Sequence, residues 1–427
     1  MSPLARRRRV RITALIAALA ATVLAAVVVA GLPADAHDQT GTPGGSPDGA
    51  ATWFAPLAPD WDDTNVRSGG GGLRLDASPA GPASIRASQP QGMLVTAVHR
   101  LTAPANLVVA ELVADQPAGS AVAVDVRGTR EDGSWTEWVP ATTAAPAVLD
   151  DAVTGMQARV MLRGGNGGAS PSVRSVRLTA RTVAHTLALR PRKAHSSRVF
   201  ATREGLVGGT TANGHVIRER DHFVALPSRR GLSPRGSGDY TVKVCSEQGR
   251  CEWAPVWDVG PWNTTDDYWN PAGTRQSWQD LPQGRPQAQA AHDDGHNGGK
   301  DQFGRTVRNP AAIDLADGTF WDGLGLRDNS WVTVTYLWTD GGPLARVRLP
   351  LVHVRNGPGV QHPAVGLAAQ RATLRVECTA AGQLVTGSLG STDQWLRIGP
   401  RQYVSAAHVT VQGQGRRCTA AENGTNP

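Results

Sequence analysis

The chain has 427 residues, 40% of them hydrophobic and 19% charged, which is ordinary for a soluble globular protein and long enough for two or three domains. Its formal net charge is +7, but five of the 43 basic residues and one of the 36 acidic ones lie in the first 36 positions, which leaves +3 on the remainder. No Lys/Arg cluster remains there to track a phosphate backbone, which excludes a nucleic-acid binder, and the small positive excess suits an anionic cell-wall polymer or plain solubility.

Residues 1–36 read as a signal peptide. Arg6 to Arg9 and Arg11 form a positive start, Ile12 to Leu32 is almost wholly apolar, and Ala34-Asp35-Ala36 fits a small-x-small cleavage site, so the mature chain is expected to begin at His37. The apolar run is also long enough to span a bilayer, so a retained anchor is the rival reading and the one route to a membrane partner. Either way the rest of the chain is exported. Residues 37–50, "HDQTGTPGGSPDGA", have no apolar periodicity and read as a linker.

From 51 to 182 short alternating runs follow one another: "NLVVAELVA", "AVAVDVRGT", "TEWVPA", "MQARVMLRG" and "VRSVRLTA", separated by Gly, Pro and Asp-Gly signals. That pattern predicts a β-sandwich, jelly-roll-like. The stretch "REDGSWTEW" sets Trp135 and Trp138 behind a tight turn. The chain carries 13 Trp against 5 Phe and 4 Tyr, and Trp can lie flat on a sugar ring as readily as it fills a core. This module resembles discoidin-like or galactose-binding-like domains, which implies a carbohydrate ligand; a spacer with core tryptophans is the alternative.

Residues 198–338 hold "GGTTANGHVI", with a strong turn signal at Asn213-Gly214, then "FVALPS", "YTVKVC", "CEWAPVWDV", "PAAIDLADGTFWDGLGL" and "SWVTVTYLW". A mostly stranded module is predicted, with one short helix capped by Asp314 and turning Leu315, Phe320 and Leu324 inward. Between Trp262 and Arg308 the sequence is rich in Gly, Asp, His and Trp and is expected to be surface loop. Its His292, Asp293, Asp294, His296 and Asp301 are ligand types, but no helix is expected to put two on one face, so neither a metal nor a cofactor is predicted.

Four cysteines without CxxC spacing fit disulfides in an oxidising compartment. Cys245 and Cys251 flank the short loop "SEQGR" and should face each other across a hairpin, leaving Cys378 to pair with Cys418.

The order Thr211-Ala-Asn-Gly, then Asp258-x-Gly-Pro at a strand end, then Ile313-Asp314-Leu315, resembles the double-psi β-barrel of rare lipoprotein A, expansins and related endoglucanases. In that family a Thr and two Asp line a polysaccharide groove, which by resemblance implies Thr211, Asp258 and Asp314, with His215 beside them. The aromatic expected two residues after the first Asp is replaced by Gly260, and Trp262 stands nearby as a substitute. The lytic branch carries a Glu after T-A-N-G and a His in the next strand, whereas this chain has His215 and "VALP". After "TDGGPLARVRLPL", which reads as a linker, residues 352–412 resemble a bacterial SH3-like domain through Val354-Arg-Asn-Gly-Pro-Gly359, Trp395 and Tyr403-Val-Ser405, implying attachment to peptidoglycan.

The fold expected is therefore mainly β: sandwich, double-psi barrel and SH3-like barrel in series. The function expected is that of a secreted, monomeric wall protein binding peptidoglycan or another polysaccharide without hydrolysing it. The alternative is a lytic enzyme, either transglycosylase or glycoside hydrolase, with Asp258 and Asp314 as the two carboxyl groups such chemistry needs.

Overall fold

Alternation along "HSSRVFATR" turns Val199 and Ala201 inward and Arg198 and Phe200 outward, and the same period-2 pattern repeats through the centre of the chain. A computed structural model describes residues 50–76, 89–184, 193–413 and 415–422, all within one compact unit. The signal-peptide segment and nearly all of the 37–50 linker lie outside the described residues.

The protein is mainly β, with a closed six-strand barrel at its centre and further sheets on either side. The barrel strands are β1 (His195–Arg203), β2 (Val224–Leu226), β3 (Thr241–Ser246), β4 (Cys251–Val259), β5 (Ala311–Leu315) and β6 (Ser330–Tyr336). β1 runs parallel to β5 and antiparallel to β6, while β4 runs parallel to β2 and antiparallel to β3. The β2–β5 and β3–β6 pairs, both antiparallel, close the ring. Exchanging β1-β2-β3 for β4-β5-β6 leaves this set of pairings unchanged, so the barrel has the two-fold pseudosymmetry that two interlocked psi crossovers produce. Val199, Val224, Val242, Val256, Ile313 and Val334 fill its core.

The N-terminal module is one nine-stranded sheet folded over itself. Two 17-residue strands, His99–Asp115 and Ala147–Arg163, make this possible by pairing in both layers. The register shifts around Ala105 bend the first of them between layers. Val108, Val126, Val160 and Leu178 pack between the layers.

The C-terminal module begins earlier than the sequence indicates. Leu344–Val347, read as linker, is the middle strand of a three-stranded sheet with Thr373–Arg375 and Val409–Gln412. Another strand of the module, Ala364–Ala369, pairs in parallel with β4 from Cys251 to Trp253, so barrel and C-terminal module share one continuous sheet. Trp395 and Tyr403 are buried there, and their polar ends are satisfied by the carbonyls of Gln383 and Glu422. Both disulfides form as expected, Cys245–Cys251 across the β3–β4 hairpin and Cys378–Cys418 within the last module. They are compatible with an oxidising, extracellular setting. Among the described residues no helix is long and apolar enough to cross a membrane.

Candidate functional site

Four barrel strands contribute one residue each to a single rung: Thr202 pairs with Asp314, Asp314 with Ala225, and Ala225 with Asp258. Residues in register share a face, so both acids point away from the barrel core, with β2 between them and their Cα atoms about 10 Å apart. An extra residue in β4, at Trp257, makes this possible. Val224 pairs with Val256 and Ala225 with Asp258, so the bulge turns Asp258 to the outer face.

That face is covered. Asp258 is 9% and Asp314 3% exposed, because residues 204–223 fold back over the strand ends and pack Ile217 and Phe223 against Trp257 and Ala316. Asp258 Oδ1 accepts the backbone N–H of Ala212 at 2.7 Å and of Val259 at 2.8 Å. Asp314 Oδ1 accepts the hydroxyl of Thr202. Asp314 thus sits inside β5 and caps no helix; the helical turn that follows, Thr319–Gly323, starts beyond Gly318. Leu315, Phe320 and Leu324 do point into the core, as the pattern indicated.

The T-A-N-G turn is built around the same carboxylate. Thr211 is buried, donates to Asn213 Oδ1 at 2.7 Å and accepts the N–H of His215 at 3.0 Å. Gly214 has φ +87° and a Cβ there would lie 2.1 Å from the Thr64 hydroxyl, so only glycine fits. Thr64 belongs to the N-terminal module and donates to the Asn213 carbonyl at 3.0 Å, roofing the turn. His215 leans on Trp257 with ring centroids 4.8 Å apart, and its Nε2 lies 2.6 Å from Asp221 Oδ2.

Trp262 lies elsewhere. Its ring packs on Ala288, Ala291 and Val307, and its indole N–H donates to Asn309 at 3.0 Å. Ala288 and Ala291 belong to a helix, α1 (Gln287–Asp294), in the segment the sequence assigns to surface loop. That segment is internally braced. Asp266 and Arg275 form a buried ion pair, Asp266 also accepts the N–H of Gln287 at 2.7 Å, and Asp267 pairs with Arg230 at 3.0 Å. Burial, opposed by Arg275, leaves the Asp266 carboxyl pushed up to about 6. Local polarity misled because these polar groups partner one another instead of water. The five ligand-type residues do not converge on one point: His292 pairs with Asp293, Asp293 and Asp294 share Arg285, His296 pairs with Asp280 and Asp301 with Arg305.

Trp135 and Trp138 of the N-terminal module serve its docking. Trp138 is buried within the barrel's own core cluster, and Arg127 stacks between Trp135 and Trp138 at 3.9 and 4.4 Å while pairing with Asp239 of the barrel at 2.9 Å. Glu137 accepts the indole N–H groups of Trp269 and Trp338; burial pushes its carboxyl up, Arg230 opposes that, and the Asp267 charge adds to it.

Of the 13 tryptophans only Trp61 and Trp321 are exposed. Trp321 lies on the helical turn Thr319–Gly323. Arg203 and Arg220 lie over its ring, a constellation hidden from any local pattern because Arg203 and Trp321 stand 118 positions apart.

Residues 195–335 match the model of a domain of unknown function (DUF8814), about a third of the chain. The match begins at the first residue of β1 and ends one residue short of the end of β6, so it coincides with the closed barrel. No curated protein matches the chain.

Proposed function

We propose that the exported protein binds a cell-wall polysaccharide or peptidoglycan and leaves its glycosidic bonds intact. The observation that carries this reading is the state of the two candidate acids. A hydrolase of the two-carboxyl type needs one group free to protonate the leaving oxygen and another facing the sugar from the opposite side. Asp258 and Asp314 are buried on one face and bonded to Ala212, Val259 and Thr202. Continuity of the β4 sheet with the C-terminal module supports the binding half: contacts made by both would add without the entropy cost of a flexible linker.

The test is incubation of residues 37–427 with labelled cell wall, measuring protein pelleted and fragments released. Pelleting without soluble fragments is expected. Fragments released by the wild type but not by Asp258→Asn or Asp314→Asn would replace this reading with a lytic one. Deletion of residues from 350 onward is an unsuitable control, because it strips β4 of its partner strand.

A further inference from the structure

We propose that Trp321, Arg203 and Arg220 form a binding site for an anionic sugar polymer, one bearing phosphodiester or uronate groups. This deepens the glycan-binding reading above and rests on it. Trp321 is 39% exposed on the turn after β5, held there by its neighbours Phe320 and Leu324, both in the barrel core. Arg203, at the end of β1, and Arg220, ahead of β2, set their guanidinium carbons 4.9 and 4.8 Å from its ring centroid. Their side chains are 42% and 56% exposed.

A guanidinium stacked by its face keeps its N–H donors at the edge, where they match the oxygens of a phosphate or carboxylate. Among the described residues each side chain's ion pair goes through a single nitrogen: Arg203 Nη1 to Asp317 at 2.8 Å, and Arg220 Nη1 to Asp322 at 3.3 Å. Arg250 approaches the same turn and donates to the Asp322 carbonyl. Arg250 thus adds a third guanidinium at this turn, beside the acids Asp317, Asp322 and buried Glu252. The two stacked guanidiniums are no further apart than the sum of their distances to one ring, so they can hold one anionic group or two successive ones. Trp321 and the Arg203 and Arg220 side chains are all more than a third exposed, a surface that suits a repeating polymer whose weak contacts accumulate. The part of the indole left exposed beside the two guanidiniums adds apolar surface to the site.

The experiment measures retention of residues 37–427, disulfides intact, on immobilised poly(glycerol phosphate), polygalacturonate, a neutral glucan and single-stranded oligo-dT. The variants are Trp321→Ala, Arg203→Gln/Arg220→Gln, and Arg220→Gln alone, whose exposed side chain leaves the fold least disturbed. Binding to one of the two anionic sugar polymers is expected, weakened about tenfold or more in the double variant and reduced by salt; the polymer retained identifies the source of the anion. Unchanged retention of Arg220→Gln and Trp321→Ala, or equal binding to the neutral glucan or oligo-dT, would overturn the proposal. If the wild type pellets with intact wall and Arg220→Gln pellets equally, this site falls and the wall reading stands. If polymer binding needs Arg220 but wall pelleting is absent, the wall reading falls and the site stands.

Discussion

The backbone N–H of Ala212 lies 2.7 Å from Asp258 Oδ1, and the same oxygen also accepts the N–H of Val259. Asp258 thereby ties the T-A-N-G turn to the end of β4. Asp258→Asn can keep an oxygen in that place, and its stability should fall by less than about 1 kcal/mol, whereas Asp258→Ala leaves two sequestered donors unpaired and should cost about 2–4 kcal/mol. Urea unfolding of the two variants checks this. A general acid would give the opposite pattern in any released-fragment assay, with Asn as damaging as Ala.

Trp138 spans the junction between modules, with its indole N–H on the Leu232 carbonyl at 3.1 Å and Arg127 and Arg159 against its ring. Trp138→Ala should lower stability by about 3–5 kcal/mol. Because the ring sits in the barrel core, the loss should show in protease resistance of the barrel as well as of the N-terminal module, and a barrel left fully resistant would contradict this docking.

His222 Nδ1 donates to Glu252 Oε1 at 3.1 Å, and Glu252 is wholly buried with a second hydrogen bond from the Thr319 hydroxyl. Burial opposes the charged imidazole, but the bond to Glu252 and the charges of Glu252, Asp322 and Asp221 outweigh it and hold the His222 pKa above its ordinary value. A raised folded-state pKa means its stabilisation is complete below about pH 6.5, the unfolded value, and is lost as pH rises through the folded one. Urea midpoints measured from pH 6 to 9 should decline for the wild type, and that part of the decline should disappear in His222→Gln.

Cys378–Cys418 closes 40 residues and Cys245–Cys251 only six. On the chain-entropy model, removing the first should cost about 4 kcal/mol and the second about 2 kcal/mol. Thermal unfolding of Cys378→Ser/Cys418→Ser beside Cys245→Ser/Cys251→Ser tests the ranking, and the reverse order would mean that native-state packing of these bridges dominates.

Sequence by itself determined the mainly β class, most of the strands and both disulfides. These depend on period-2 burial, turn residues and proximity along the chain, which are local properties: Val199, Ala201, Val242 and Val244 alternate inward whatever covers them outside. The T-A-N-G turn and the acids at 258 and 314 were also legible as one neighbourhood. Their exposure was not, because it depends on the one-residue bulge at Trp257, the fold-back of residues 204–223 and the seating of Thr64 on the turn. For Trp138 and Trp262 a sugar face and a core were both open, and tertiary structure alone put the first into another module's core and the second beneath α1. Arg203, Arg220 and Trp321 were equally invisible, since crossing between barrel strands, not spacing along the chain, brings their side chains together.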